Sequence, residues 1–460
     1  MSINHKRTTK ALTVLFCLVL LGGCAGEVSP KADGWRQADD ILSRIKAPAF
    51  PDRDFQITDY GAIADGLTDC TAAFEKAITA ANKAGGGRVV IPAGTYLTGA
   101  IRLRSNVNLY VSEGAVIKFS TDPGKYLPTV FTRFEGIECI NYSPLIYAYE
   151  QENIAITGSG TLDGQASEIN WWKWNLDGSD LNDIEKLNDY GRDGIPVEKR
   201  VLGKDHYLRP NMIVPYKCKN VLIEGVTIKN SPMWHVHFVL SQNITVRNIK
   251  VIGHGPNNDG CNPDSCKDVL ITGCYFDNGD DCVTIKSGRN NDGRRVNVPC
   301  ENIVVQNCRM KDGHGGVVLG SEMSAGVRNV FIENCKMDSP NLRQALRIKS
   351  NAQRGGFIEN IYMRNVQIGE VNEAVFNINF YYGEAEKGPY LPTVRNINFE
   401  NVTSQKSKYV LFLHGFESKP SITAIYLKDC SFNNVQNADV IAGVKKIVFE
   451  NVKVNSKSVN

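Results

Sequence analysis

Apolar and polar residues alternate in a short unit that returns nine times along the C-terminal three-fifths of the chain. NVLIEGVTI begins at Asn220, NITVRNIKV at Asn243 and DVLITGCYF at Asp268. NIVVQNCRM follows at Asn302, NVFIENCKM at Asn329 and NIYMRNVQI at Asn360. NINFENVTS at Asn396, AIYLKDCSF at Ala424 and KIVFENVKV at Lys446 complete the series. Successive starts differ by 23, 25, 34, 27, 31, 36, 28 and 22 residues. Each unit alternates with period two and then turns through Asn or Gly, the pattern of a half-buried strand. Weaker copies begin at Asn106 and Asn153.

Short strands at this loose spacing, with no helices between them, exclude a leucine-rich repeat and a βαβ sheet. A propeller needs about 40 residues and four strands per unit. The pattern therefore predicts an all-β, right-handed, single-stranded parallel β-helix, each repeat forming one coil on the last and insertions going to the coil corners. A second strand series runs within the coils: WHVHFVLS from Trp234, CVTIKSG from Cys282, GVVLGSE from Gly316, ALRIKSN from Ala345, VFNINFY from Val375 and VLFLHGF from Val410. Thr68 to Ala84 has a helical pattern ending at Gly85-Gly86-Gly87, and predicts a short N-terminal capping helix over the open end of the stack, where backbone groups would otherwise go unpaired. The β-helix is assigned to residues 51–460, and residues 24–50 to a linker and N-terminal segment.

With 460 residues, 42% of them hydrophobic, the chain has enough apolar surface for a large core, and a net charge of +3 is too mild to point to nucleic acid. Lys6, Arg7 and Lys10 precede the apolar run Ala11 to Leu21, too short to span a bilayer but suited to a secretory signal. Leu21-Gly22-Gly23-Cys24 resembles the bacterial lipobox. The expectation is a signal peptide over residues 1–23, lipidation at Cys24 and an exported lipoprotein held by its lipid anchor only, in the periplasm or at the outer membrane or cell surface. Of the thirteen cysteines, Cys274, Cys308, Cys335 and Cys430 share one slot of the repeat with Val226, Ile249, Val366, Val402 and Val452. A slot shared by Cys, Val and Ile is a buried apolar position, so these cysteines read as core, with neither a disulfide framework nor a metal pattern.

One feature of the pattern is not structural. Residues 277–282 read DNGDDC, and residues 257–260 read NNDG. Asn, Gly and Asp suit turns, but stacking brings more together here than a turn requires. Asp259 and Asp280 are 21 residues apart, close to the 25 between their coil starts, and His314 lies 34 beyond Asp280, matching the next interval. Aligning VTIKSG, GVVLGS and LRIKS adds Arg347 and Lys349 in the following coil. Strand side chains alternate, so these two share a face while Ile348 points inward. Three acids, a histidine and two cations on one face suit acid–base hydrolysis of a glycosidic bond. One carboxyl must stay protonated, with its pKa raised by nearby anions, while the others stay ionised and hold water. The paired cations add what a neutral sugar would not need, donors for a carboxylate, and so point to an acidic polysaccharide.

In NNDG (257–260), GDDC (279–282), GHG (313–315) and RIK (347–349), the chain resembles glycoside hydrolase family 28, the polygalacturonases and their pectin-degrading relatives. SPMWH (231–235) and LGSE (319–322) resemble its bacterial exo-acting members. The resemblance implies hydrolysis of α-1,4-galacturonosyl linkages in pectin with inversion and no cofactor or metal. Asp280 would be the proton donor, Asp259 and Asp281 would position the water, and His314 would support protonation or sugar binding. Arg347 and Lys349 would bind a galacturonate carboxylate beside the cleaved bond. Asn258 replaces the family's usual Thr, with little consequence expected because the acid is kept.

Gly164 to Pro210, with WWKW at 171–174, is a long insertion of the kind that walls off one end of a cleft. Its tryptophans suit either a private core or substrate contact, and Arg209 and Lys286 suit either substrate contact or, as exposed basic residues more often do, plain solvation. The alternatives are a rhamnogalacturonan or substituted-galacturonan hydrolase, a calcium-using pectate lyase, and a non-catalytic glycan-binding β-helix. The kept carboxylate triad argues against the last.

Overall fold

The computed structural model describes residues 30–383 and 385–459; the stretch expected to be a signal peptide and Cys24 lie outside the described residues. Among those described, three long sheets of 13, 11 and 14 strands run the length of the molecule. Each coil contributes one strand to each sheet, and the stack is the expected right-handed parallel β-helix. The register of the first sheet reproduces the repeat alignment. Val221, Ile244, Val269, Ile303, Val330, Ile361, Ile397, Ile425 and Ile447 pair in succession.

The leading residue of the unit is Asn for two reasons. At Asn220, Asn243, Asn302, Asn329, Asn360 and Asn396 the backbone is left-handed, with φ between 55° and 62°, a conformation that Asn tolerates better than most residues. The same side chains form a ladder along the stack, Asn329 Nδ2 donating to Asn302 Oδ1 at 3.0 Å and Asn360 Nδ2 to Asn329 Oδ1 at 3.0 Å. The cysteines of the shared slot are buried and free, as are the other described cysteines.

The capping helix spans Thr71–Lys83 and buries Ala73, Phe74, Ala77, Ile78 and Ala81 against the first coil. Upstream of it, Pro30–Arg44 forms a second helix within the stretch assigned to the N-terminal segment. Ala38, Ile41 and Ile45 pack on Val304, Phe331 and Tyr362, on the outer face of the first sheet. Arg44 donates to Asp268 at 2.8 Å, where an Asp stands in the Asn ladder.

The second of the three sheets, called here the cleft sheet, carries the strands Ile213–Tyr216, Val236–Val239, Cys261–Asp264, Val283–Ile285, Val317–Gly320, Gln344–Lys349, Ala374–Asn379 and Tyr409–His414 in that spatial order. Part of its outer face is covered. A hairpin of Val130–Phe134 and Ile137–Asn141 pairs with Val201–Leu202 of the insertion. Val130 and Phe131 pack on Tyr147, Val214, Tyr216 and Val239 of the early strands. Helix Leu181–Arg192 of the insertion closes a further core with Phe134, Ile137, Leu208 and Trp234.

An ionic layer lies between hairpin and sheet. Arg133, fully buried, donates to Asp264 at 2.8 Å. Glu138 accepts from Tyr216 and from Arg295, and Arg200 donates to Asp292 at 2.7 Å. The tryptophans of the insertion are packing residues. Trp171 is buried, edge-on to Tyr126 and to Trp174, and Trp172 donates to the carbonyl of Ser231.

Candidate active site

The six side chains singled out in the sequence converge where the cover over the cleft sheet ends. Asp259, in the turn before strand Cys261–Asp264, is almost fully buried. Its Oδ2 accepts from Asn262 at 3.0 Å and Thr284 at 3.1 Å, and Lys286 Nζ lies 3.7 Å away. Two neighbours hold the turn. Asn258 donates to the carbonyls of Ser231 and Met233 and accepts from Gly255 N. Arg209 donates to Asn257 Oδ1 at 2.7 Å and to the carbonyls of Pro232 and Pro256. Gly260 must be Gly, because an added Cβ would sit 2.4 Å from the carbonyl oxygen of Cys282 in the next coil.

One coil later, Asp281 is buried and accepts from Lys349 Nζ at 2.7 Å. Its other oxygen, 3.6 Å from Arg347, is buried without a hydrogen-bond partner among the described residues, as is Arg347 Nε. Asp280 turns the other way and keeps 18% of its side chain exposed, with His314 Nδ1 2.9 Å from its Oδ1. Asp280 and His314 are therefore the members that face the open cleft. Gly313, at φ 155°, lets the GHG turn approach, since a Cβ there would lie 2.7 Å from the carbonyl oxygen of Asp280.

Burial, and next the charge of Asp280, push the carboxyl of Asp259 well above the usual Asp range. Asp280 is also desolvated, but the His314 hydrogen bond and the charge of Lys349 outweigh that and hold its carboxyl below the usual range. The charge of one bears on the other, so the two titrate together, with Asp259 the carboxyl pushed up and Asp280 the one held down. The expectation that nearby anions raise the donor carboxyl thus applies to Asp259 here and not to Asp280, because Asp280 has the histidine and the lysine beside it. Lys349 is desolvated as well, yet the charge of Asp281 raises its pKa.

Lys286 and Arg209 are a correction to the sequence reading, since both are buried rather than solvated. Lys286 donates to Glu322 at 2.9 Å and lies over the Trp234 ring, 4.4 Å from its centroid. Its outward position was legible, because Lys286, Gly320 and Lys349 occupy one row of the sheet. The cover that buries it was not. Sequence reasoning also passed over Asn262 and Thr284, and over Tyr382, whose ring lies 5.5 Å from Lys349 Nζ and 5.9 Å from the Arg347 guanidinium. Tyr382 lies in a loop with no repeat signal.

Among the described residues, two groups have donor atoms close enough to share a cation: Asp280, Asp281 and His314, and separately His254, Asp277 and Asp312. In each the chain supplies its own cation, Lys349 to Asp281 and Lys311 to Asp277.

A sequence profile described as Glycosyl hydrolases family 28 matches residues 198–457, and one described as Rhamnogalacturonase A/epimerase, pectate lyase-like, matches residues 55–122. A probable polygalacturonase of Vitis vinifera is 30% identical over 79% of this chain and 71% of its own length. An exo-poly-alpha-D-galacturonosidase of Dickeya chrysanthemi is 27% identical over 93% of this chain and 78% of its own. Among solved structures, a hyperthermoactive exopolygalacturonase from Thermotoga maritima superposes with a TM-score of 0.89 at 44% identity, covering 92% of this chain and 96% of its own.

Proposed function

The chain belongs to glycosyl hydrolases family 28, and from that premise we propose that it hydrolyses the α-1,4-galacturonosyl linkages of pectic galacturonan, with inversion and from a chain end. The observation that carries the end-acting part is the one-sided cover of the cleft sheet. Toward the early coils the outer face is filled by the hairpin and its ionic layer. Over the later strands, from Gln344–Lys349 on, the described residues show no hairpin or ionic layer of this kind; there Tyr382, from the loop after Ala374–Asn379, lies beside Arg347 and Lys349. A polymer lying across Asp280 therefore has room to continue in one direction only. The relatives named exo-acting agree with this reading.

In this reading Asp280 delivers the proton to the leaving oxygen, because it is the acid exposed to the cleft. In the unliganded site Asp259 is the raised carboxyl of the two and Asp280 the lowered one. A uronate chain arriving beside Asp280 brings negative charge and excludes water, both of which raise that carboxyl toward the protonated form that can donate. Asp281, with one oxygen lacking a donor, and Asp259 are placed to orient the attacking water. Arg347 and Lys349 receive the carboxylate of the sugar next to the scissile bond, and the unpartnered Arg347 Nε is a donor suited to it.

Incubation with polygalacturonate, with products followed by chromatography and anomeric configuration by NMR, tests the proposal. Galacturonate should be the first product, released with inverted configuration. Ladders of mixed oligomers would defeat action from an end, and unsaturated products absorbing in the ultraviolet would defeat hydrolysis. Hydrolysis confined to rhamnogalacturonan would move the substrate to the alternative class.

We also infer export and lipidation at Cys24, supported by the basic start, the apolar run and Leu21-Gly22-Gly23-Cys24. Incorporation of labelled palmitate that is lost in Cys24→Ala is the expected result.

A further inference from the structure

The outward rows of the cleft sheet do not stop at the two cations. Register carries Arg347 onto Asn377 and then Phe412, and Lys349 onto Asn379 and then His414. The alternate residues Leu346, Phe376 and Leu411, and Ile348, Ile378 and Leu413, are buried in the coil interior. Alternation therefore sends Phe412 and His414 to the same outer face as the cations. The early strands place outward residues under the hairpin, whereas Phe412, His414 and the neighbouring Tyr381 are only half-buried.

These three form a fixed aromatic step. The His414 ring stacks on Tyr381 with centroids 4.2 Å apart and planes at 24°. Phe412 meets His414 edge-on at 6.1 Å and is backed by Tyr409 at 5.3 Å. Asn379 ties the step to the cleft sheet by accepting from Tyr381 N at 2.9 Å. Two strand spacings put the step ~10 Å from the Arg347–Lys349 pair, a distance of about two sugar residues. An aromatic surface packs on the C–H face of a pyranose ring, and the imidazole offers a polar edge beside it.

Resting on the galacturonan reading above, we propose that Phe412, His414 and Tyr381 form a distal subsite that holds the polymer on the open side, about two residues beyond the sugar bound by Arg347 and Lys349. The step is joined to the candidate active site through the row Lys349, Asn379 and His414, in which Asn379 and His414 are half-buried, whereas Asn377 in the row beside it is buried. Its occupant is therefore the remainder of the same polymer.

Steady-state kinetics on galacturonate oligomers of two to five residues test this. In the wild type, kcat/KM should climb from the dimer, which is too short to reach the step, to the longer oligomers. In His414→Ala and Phe412→Ala the ratio of kcat/KM for the longest oligomer to that for the dimer should fall about five-fold or more, mainly through KM, the size expected for one lost aromatic contact. A ratio that survives within about two-fold in both variants, or equal losses on dimer and longest oligomer, would overturn the subsite while leaving the galacturonan reading in place. A wild type inactive on every oligomer would overturn both. Should Phe412→Ala melt early, His414→Ala decides alone, because its half-buried ring lies on the outer face.

Discussion

Lys349 Nζ lies 2.7 Å from Asp281 Oδ2, although the two residues are 68 positions apart, and both are buried. The pair neutralises one carboxylate of the acidic cluster while leaving its second oxygen without a donor. Removing one partner of a buried pair costs about 3–5 kcal/mol, much of it the uncompensated charge left behind. Arg347, 3.6 Å away, remains as a partial substitute. Lys349→Met should therefore lose about 3 kcal/mol in urea unfolding, and its KM for polygalacturonate should rise. A variant as stable as the wild type would show that the buried pair makes no net contribution to the fold.

The pH dependence of stability should show opposite contributions from the two members of the pair. Asp259 has a raised pKa, so its contribution is complete below the ordinary Asp value of 3.8 and is lost as pH rises through its folded value. Asp280 has a lowered pKa, so its contribution is present above 3.8 and is lost as pH falls through its own folded value. Asp259→Asn removes the first effect. The difference in melting temperature between wild type and variant should move against the wild type as pH rises above 4, because only the wild type loses the Asp259 contribution. Parallel curves would show that Asp259 is ionised in the native protein throughout that range.

Asp280→Asn tests the donor directly. The amide cannot deliver a proton, and general acid catalysis contributes about 10²–10⁴-fold, so kcat should fall by at least ~100-fold. The melting temperature above pH 4 should fall, because the lowered Asp280 carboxyl contributes stability there, but the variant should stay folded at the assay temperature, because Asp280 is partly exposed and its neighbour His314 keeps access to solvent. Near-normal turnover would transfer the donor role elsewhere in the cluster.

The coil register was legible because most repeats state it twice, through the apolar alternation and through the Asn that opens the strand in six of the nine units. Given that register, subtracting residue numbers was enough to bring Asp259, Asp280, His314, Arg347 and Lys349 onto one face. Elements that leave the repeat were not legible. Trp35, Ala38 and Ile41 have helical spacing, with Leu42 and Ile45 beside them, but the stripe is narrow and most of the helix is polar. The hairpin was harder still, because Arg133 and Glu138 stand at positions that read as solvent-facing. They are buried against charges from other parts of the chain, Asp264 and Arg295, and no local pattern announces such pairing. The same cover explains why Lys286 and Arg209 were misread as solvated.

That cover also yields the prediction that bears most directly on how the polymer is cut. If the hairpin is what ends the cleft, weakening its attachment should change the products and not only the rate. Arg133 is the natural target, because it joins the hairpin to Asp264 on the cleft sheet while the hairpin tip contributes a separate bond, Arg289 N donating to the carbonyl of Gly136 at 3.0 Å. Arg133→Met leaves Asp264 with His237 Nε2 at 3.2 Å and the Gly288 N–H at 3.1 Å, so the expected loss is at the low end of a broken buried pair, about 3 kcal/mol. The coil stack does not depend on the hairpin and should still fold. Chromatography of early products from polygalacturonate should then show dimers and trimers beside the monomer, because the chain gains room over the early strands. A destabilised variant that still releases monomer alone would show that the apolar contacts of Phe131 with Tyr147 and Tyr216 are sufficient to keep the cleft shut, and that the ionic layer has no part in where the polymer is cut.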